Sequence, residues 1–168
     1  MGQVVTQREL MLRRGEWKRT GEGMVCAYGA FDLLHPGHVR LFEQAREFGN
    51  ILVVAVQSDA LVRADATGVG DETARRNDAG ERPVTPDAER AEIVAALNAV
   101  DFASVVDIPL VAFVKIFQPD VFVCGDEVNA AREVESALAE AGCKVVRLPL
   151  EPGYSTTLLI ERIAGHRA

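Results

Sequence analysis

His35 and His38, with Gly37 between them, stand where an apolar run gives way to an amphipathic one. Imidazoles donate hydrogen bonds, so a close pair suits the stabilisation of negative charge. At this spacing both rings can lie beside the first turn of one helix, and Gly37 lets a backbone or ligand approach where a Cβ would obstruct. The residues just before them, Gly29, Ala30, Phe31 and Asp32, read as a tight turn. A strand that ends in a glycine turn and feeds a helix gathers amide N–H groups and the positive end of the helix dipole at one point, which suits a phosphate. The arrangement predicts a site for a nucleotide α-phosphate; the plainer alternative is a pair that caps a helix or fills a polar pocket.

The elements that must position these residues follow from periodicity. Residues 24–27 read as a buried parallel strand and 39–48 as an amphipathic helix, with Gly49 where a left-handed cap is wanted. The β-branched run 51–57 reads as a strand buried on both faces, so strand, helix and strand imply a right-handed crossover in a parallel sheet. Ser58 and Asp59 then fall at the edge where such sheets bind ligands, placed either to touch substrate or to cap a helix. Residues 63–83 are polar and glycine-rich and read as a long loop, a candidate lid whose Arg63, Arg75 and Arg76 lie beside an anionic site.

Beyond it, Thr85 and Pro86 read as the N-cap and first residue of a helix to residue 98, with Ile93, Val94 and Leu97 as its buried stripe. Strands are expected at 102–106, 121–124 and 144–148, and helices at 110–117, 127–141 and 158–163. Gly125 and Asp126 fall at another strand's C-terminal edge. Gly153, Tyr154, Ser155, Thr156 and Thr157 open the last helix as a second anion site. Ahead of all this, Thr6 and Glu9 have capping-box spacing for a helix over 7–18, so residues 1–23 are expected to form a packing arm and 24–168 one domain. The predicted fold is an α/β, Rossmann-like, doubly wound five-stranded parallel sheet in the order 3-2-1-4-5, with the glycine turn at its switch point.

Composition sets bounds on partners. At 168 residues the chain suits one domain, and 48% hydrophobic with 26% charged residues is ordinary for a globular protein. A net charge of −7 argues against a broad nucleic-acid or anionic-membrane surface. No apolar run approaches membrane-spanning length, and no signal peptide is expected in a basic first twenty residues. Cys26, Cys124 and Cys143 form no Cys-x-x-Cys pair and fall in or beside strands, which predicts buried reduced thiols in a cytoplasmic setting. Homo-oligomerisation is left open.

The pattern Gly29-x-Phe31-Asp32-x-x-His35-x-Gly37-His38 resembles the signature of the nucleotidyltransferase superfamily of cytidylyltransferases and their relatives. Residues 82–84, Glu89-Arg90, 95–101, Pro119-Asp120 and Ser155-Thr156-Thr157 resemble, in order and context, the adenylyltransferases of the ADP-heptose synthase type. The resemblance implies transfer of AMP from ATP to a sugar phosphate such as a heptose 1-phosphate. His35 and His38 would donate to the α-phosphate, while Gly29, Ala30, Phe31, Gly37, Gly125, Asp126, Ser155, Thr156 and Thr157 hold the nucleotide. Asp32, Ser58, Asp59, Arg63 and Arg82 would face the acceptor, and Mg²⁺ would accompany the triphosphate. The metal ligands are unassigned. The similar glycerol-3-phosphate cytidylyltransferases make CTP with an alditol phosphate the alternative. Heptose-type enzymes usually carry a Lys where this chain has Cys124, so a non-catalytic nucleotide sensor is a second alternative. A class I aminoacyl-tRNA synthetase uses a related pair, but no Lys-rich second signature is visible here.

Overall fold

Met24–Gly29 (β2) and Ile51–Gln57 (β3) form the centre of the sheet, since every residue of both is buried except Gly29. The computed structural model describes residues 1–64, 83–125, 132–149, 153–154 and 156–165. Before these strands come Gln3–Val4 (β1) and the helix Gln7–Thr20 (α1). After them the chain runs through Pro36–Arg46 (α2, between β2 and β3), Asp59–Ala64 (α3), Asp87–Ala95 (α4), Phe102–Val106 (β4) and Leu110–Phe117 (α5). Val121–Gly125 (β5), Arg132–Glu140 (α6), Lys144–Leu148 (β6) and Thr156–Gly165 (α7) complete it.

All strands pair in parallel in the order β1-β4-β3-β2-β5-β6. The expected 3-2-1-4-5 order is present as β4-β3-β2-β5-β6, and the expected count of five is corrected to six by β1. Gln3 of that strand lies opposite Phe102. A two-residue pairing is too short to leave any alternation in sequence, and its recognition depends on the β4 edge it meets. One apolar layer joins α1, α5 and α6 to the sheet through Leu10, Trp17, Phe113 and Phe122. The other joins α2 and α4 through Phe42, Ala91 and Val94. Helices on both faces explain why the central strands are apolar without alternation.

Local chemistry accounts for most boundaries. Glu9 N donates to Thr6 Oγ1 at 3.2 Å and Thr6 N donates to Glu9 Oε2 at 2.8 Å, which completes the capping box of α1. α2 begins three residues before the expected start because Pro36, lacking an N–H, fits the first helical position. α4 starts one residue late: Pro86, not Thr85, is its N-cap, and the helix stops at Ala95. Ile93 is 49% exposed, so the buried stripe is Arg90, Ala91, Val94 and Ala95. α3 replaces the start of the expected 63–83 loop, of which residues 65–82 lie outside the described residues.

Gly49 also departs from expectation. It takes no left-handed conformation; a Cβ there would lie 2.6 Å from Val25 Cγ2 and 2.9 Å from Gly23 O, so close approach is what excludes a side chain. Gly142, at φ 67°, is the left-handed stop after α6. All three cysteines are buried, none in a disulfide. Among the described residues no helix is long and apolar enough to cross a membrane.

Candidate active site

The histidines meet where β2 hands over to α2. His35 is the N-cap of α2 in extended conformation, and its carbonyl accepts from His38 N at 2.9 Å, so the first turn of the helix sets both side chains on one side. Their rings stack with centroids 3.8 Å apart and planes 19° from parallel. Gly37 permits this, because a Cβ there would lie 3.0 Å from the His35 ring. Phe31 presents an edge contact to His38, with centroids at 5.5 Å, and to Phe42, at 5.1 Å. The Tyr154 ring also lies near His35, with centroids 6.3 Å apart and planes at 23°, and the Arg40 guanidinium stands 5.9 Å from the Tyr154 ring's centre.

Burial pushes the His38 imidazole down to about 3, and the neighbouring His35 adds to the effect. Burial lowers His35 as well. Both rings are therefore neutral at pH 7, which lets them stack without repulsion. Among the described residues, Nδ1 of each is buried with no hydrogen-bond partner. Buried polar atoms in native proteins are nearly always paired, so two orphans on adjacent rings mark unused hydrogen-bonding capacity beside a helix N-terminus.

The turn feeding the pair is held from behind. Phe31 has φ 49°, in the left-handed region unfavourable to a residue with a bulky side chain. Asp32, 7% exposed, accepts from Val84 N at 2.8 Å and Thr85 N at 2.9 Å. Arg90 donates from Nε to Thr85 O at 2.8 Å, from Nη1 to Ala30 O, and from Nη2 to Asp59 Oδ1 at 2.6 Å. Ser58 Oγ accepts from Leu61 N at 3.2 Å and caps α3. Asp32, Ser58 and Asp59, the candidate acceptor contacts, thus have internal partners for their side chains.

Other candidate residues are placed unevenly. Gly29 and Ala30 flank the turn, and Gly125 ends β5 on the same edge of the sheet. Arg63 is exposed on α3, with Nη2 4.0 Å from Asp59 Oδ2. Thr156 and Thr157 are the first residues of α7. Arg82, Asp126 and Ser155 lie outside the described residues, as do Arg75 and Arg76. A cavity of about 500 Å³ between β5, β6 and α6, lined by Phe122, Cys124, Leu138 and Cys143 among others, contains no predicted site residue. Among the described residues no three His, Cys, Asp or Glu side chains are grouped to hold a metal ion.

Residues 26–162 match the family model described as cytidylyltransferase-like. The chain belongs to the cytidylyltransferase-like family. That family is enzymatic, and its chemistry is nucleotidyl transfer. This cytidylyltransferase-like chain is 40% identical over 170 residues to the bifunctional protein HldE of Koribacter versatilis (strain Ellin345), which covers 97% of the chain and 31% of that protein. With the bifunctional protein HldE of Geotalea uraniireducens (strain Rf4) it shares 40% identity over 149 residues, 87% of the chain and 28% of that protein. It thus spans about three-tenths of the length of these relatives. Among solved structures, the lipopolysaccharide core biosynthesis protein from Thermoplasma volcanium GSS1 superposes with a TM-score of 0.60 at 26% identity, over 78% of this chain and 99% of that one. Pantothenate synthetase from Thermus thermophilus, at 19% identity and a TM-score of 0.55 over 89% of this chain and 62% of that one, shares the fold.

Two residues of this cytidylyltransferase-like site make contacts that were not expected from the sequence. Arg90 had a signal: it occupies the buried stripe of α4, where a cation must find partners. Tyr154 was expected only within the run that opens the last helix, since only folding brings residue 154 against residue 35.

Proposed function

We propose that the domain transfers the adenylyl group of ATP to a phosphate oxygen of a sugar phosphate of the heptose 1-phosphate kind, releasing pyrophosphate. The observation that carries this reading is the stacked histidine pair, with its orphaned Nδ1 atoms, at the N-terminus of α2 beside the glycine turn. The acceptor oxygen forms a bond to Pα as the bond from Pα to the bridging oxygen breaks, and pyrophosphate leaves with that electron pair. Such a displacement is accelerated by positioning and by stabilising charge on the phosphoryl oxygens. Neutral imidazoles in a water-poor setting donate N–H groups to that charge without reorganising, and an arriving triphosphate raises their affinity for protons. Amides of Gly29 to Phe31 and the start of α7 would hold the phosphate chain. Mg²⁺ would arrive with the nucleotide as part of the substrate, screening its phosphates. In this reading residues 24–168 form the catalytic domain and 1–23 a packing arm. The buried cysteines suit a reducing cytoplasm.

Similarity to the HldE proteins over nearly the whole chain favours ATP and a heptose phosphate. Pyrophosphate release measured with ATP and with CTP, each against a heptose 1-phosphate and glycerol 3-phosphate, tests it. Release with ATP and the heptose phosphate is expected. Activity confined to CTP overturns the adenylyl assignment, and nucleotide binding without release by any pair makes the domain a sensor.

A further inference from the structure

We propose that Arg90 is a positioning residue for the histidine site: together with Asp32 and Asp59 it locks the glycine turn in the form that presses Phe31 against His38. The role rests on the nucleotidyl-transfer reading of that site. Arg90 is 1% exposed and lies among apolar residues of α4, so it meets neither solvent nor substrate directly. Its donors are divided among three parts of the chain: the carbonyl of Ala30 in the turn, the carbonyl of Thr85 before α4, and the carboxylate of Asp59 on α3. Asp32 holds the same two segments together in the opposite sense, accepting from the amides of Val84 and Thr85.

Phe31 lies between these two anchors. Its φ of 49° is costly for an aromatic residue, and such a conformation persists only where its surroundings over-determine it. The Ala30 carbonyl on one side and the Asp32 carboxylate on the other supply that determination. The aromatic edge held there meets His38, which stacks on His35. Packing alone does not account for the arrangement, because desolvating a guanidinium is expensive and an apolar side chain of similar volume fills such a position at least as well. What an apolar side chain cannot do is fix the direction of two carbonyls and a carboxylate at once. Lys cannot do so either, since its single nitrogen lacks the planar fork.

The test compares Arg90→Lys and Arg90→Met in the full chain, by pyrophosphate release and by imidazole resonances of ¹⁵N-histidine-labelled protein without substrate, with His38→Gln giving the assignment. Arg90→Lys is expected to lower kcat about tenfold and Arg90→Met about a hundredfold, the scale of a misplacement near 1 Å, with KM for the nucleotide within about threefold. His38 resonances should move in both. Phe31→Leu should lower kcat too, and combining it with Arg90→Met should cost no more than the larger single effect, because both act through one contact. If Arg90→Met fails to fold, Arg90→Lys decides. A folded Arg90→Lys with kcat within about threefold of wild type, or with unmoved His38 resonances, overturns the clamp. Wild-type protein that releases no pyrophosphate overturns the nucleotidyl-transfer reading instead, and the resonances by themselves then decide the role of Arg90.

Discussion

His38 is the more deeply buried of the two imidazoles, packed between the edge of Phe31 and the face of His35. In the proposed reaction each ring is one preorganised donor to a developing oxyanion, so His35→Ala and His38→Ala should each lower kcat by about two to three orders of magnitude in the pyrophosphate assay. Circular dichroism should show an unchanged fold. Turnover within about threefold of wild type for both variants would leave the pair a packing feature only. The same burial predicts a pH effect. With the folded imidazole near 3 and the unfolded one near its ordinary value of about 6.5, the unfolded chain binds more protons between those limits. This contribution to stability is complete above about pH 6.5 and is lost as pH falls. His38→Gln should therefore gain in melting temperature relative to wild type on going from pH 7.5 to pH 5. A gap that stays constant across that range would show that His38 titrates normally.

At the scale of elements, two glycines test different physics. At Gly49, between α2 and β3, the neighbours of an added Cβ include backbone, which cannot swing aside. Gly49→Ala should cost about 1–3 kcal/mol of stability through overpacking, read as a lower urea midpoint at constant m. Gly142 has nothing within 4 Å of an added Cβ, so Gly142→Ala should cost only about 1 kcal/mol, from the left-handed backbone. If Gly49→Ala proves the milder of the two, the close approach to Gly23 is not rigid. α4 shows why helix signals mislead at single positions. Its polar and apolar residues alternate as an amphipathic helix requires, yet Ile93 faces outward and Arg90 inward. The period places Arg90 on the inward stripe, but the acceptors it meets there, Thr85 O, Ala30 O and Asp59 Oδ1, are not encoded by any local period.

For the whole molecule, the sheet has an edge that carries the histidines and a sewn edge. The histidines lie at the C-terminal ends of the strands, while Asp101 and Asp120 tie the N-terminal ends. Asp101 Oδ2 accepts from Leu52 N at 2.7 Å and lies 3.4 Å from Arg46 Nε. Asp120 Oδ2 accepts from Met24 N at 2.7 Å and lies 2.9 Å from Nη1 of Arg14, which is buried on α1. Asp120 thereby joins the first helix to the central strand. Asp120→Ala should cost about 2 kcal/mol, the scale of lost hydrogen bonds to a charged group, measured as a lower melting temperature. KM and kcat should stay as in wild type, since the far edge does not touch the site. A change in KM without loss of stability would contradict this division of labour.

The strands 51–57, 102–106 and 144–148 and the helix 110–117 have the bounds expected of them. Local features delimit them: β-branched residues in each strand, and Pro109 before the helix with Pro119 after it. The histidine motif was legible for the same reason, because glycine turn, proline and imidazoles are neighbours along the chain. β1 was not legible, nor was the Arg90 clamp, nor Tyr154 over His35. Each joins residues some 60 to 120 positions apart. Sequence by itself determined most of the segments that form strands and helices and the motif that sets two imidazoles beside a glycine turn, because those depend on neighbours within a few residues. Tertiary structure alone decided which polar side chains face the ligand edge and which are consumed holding it, because a buried charge is stable only where distant groups converge to pair with it.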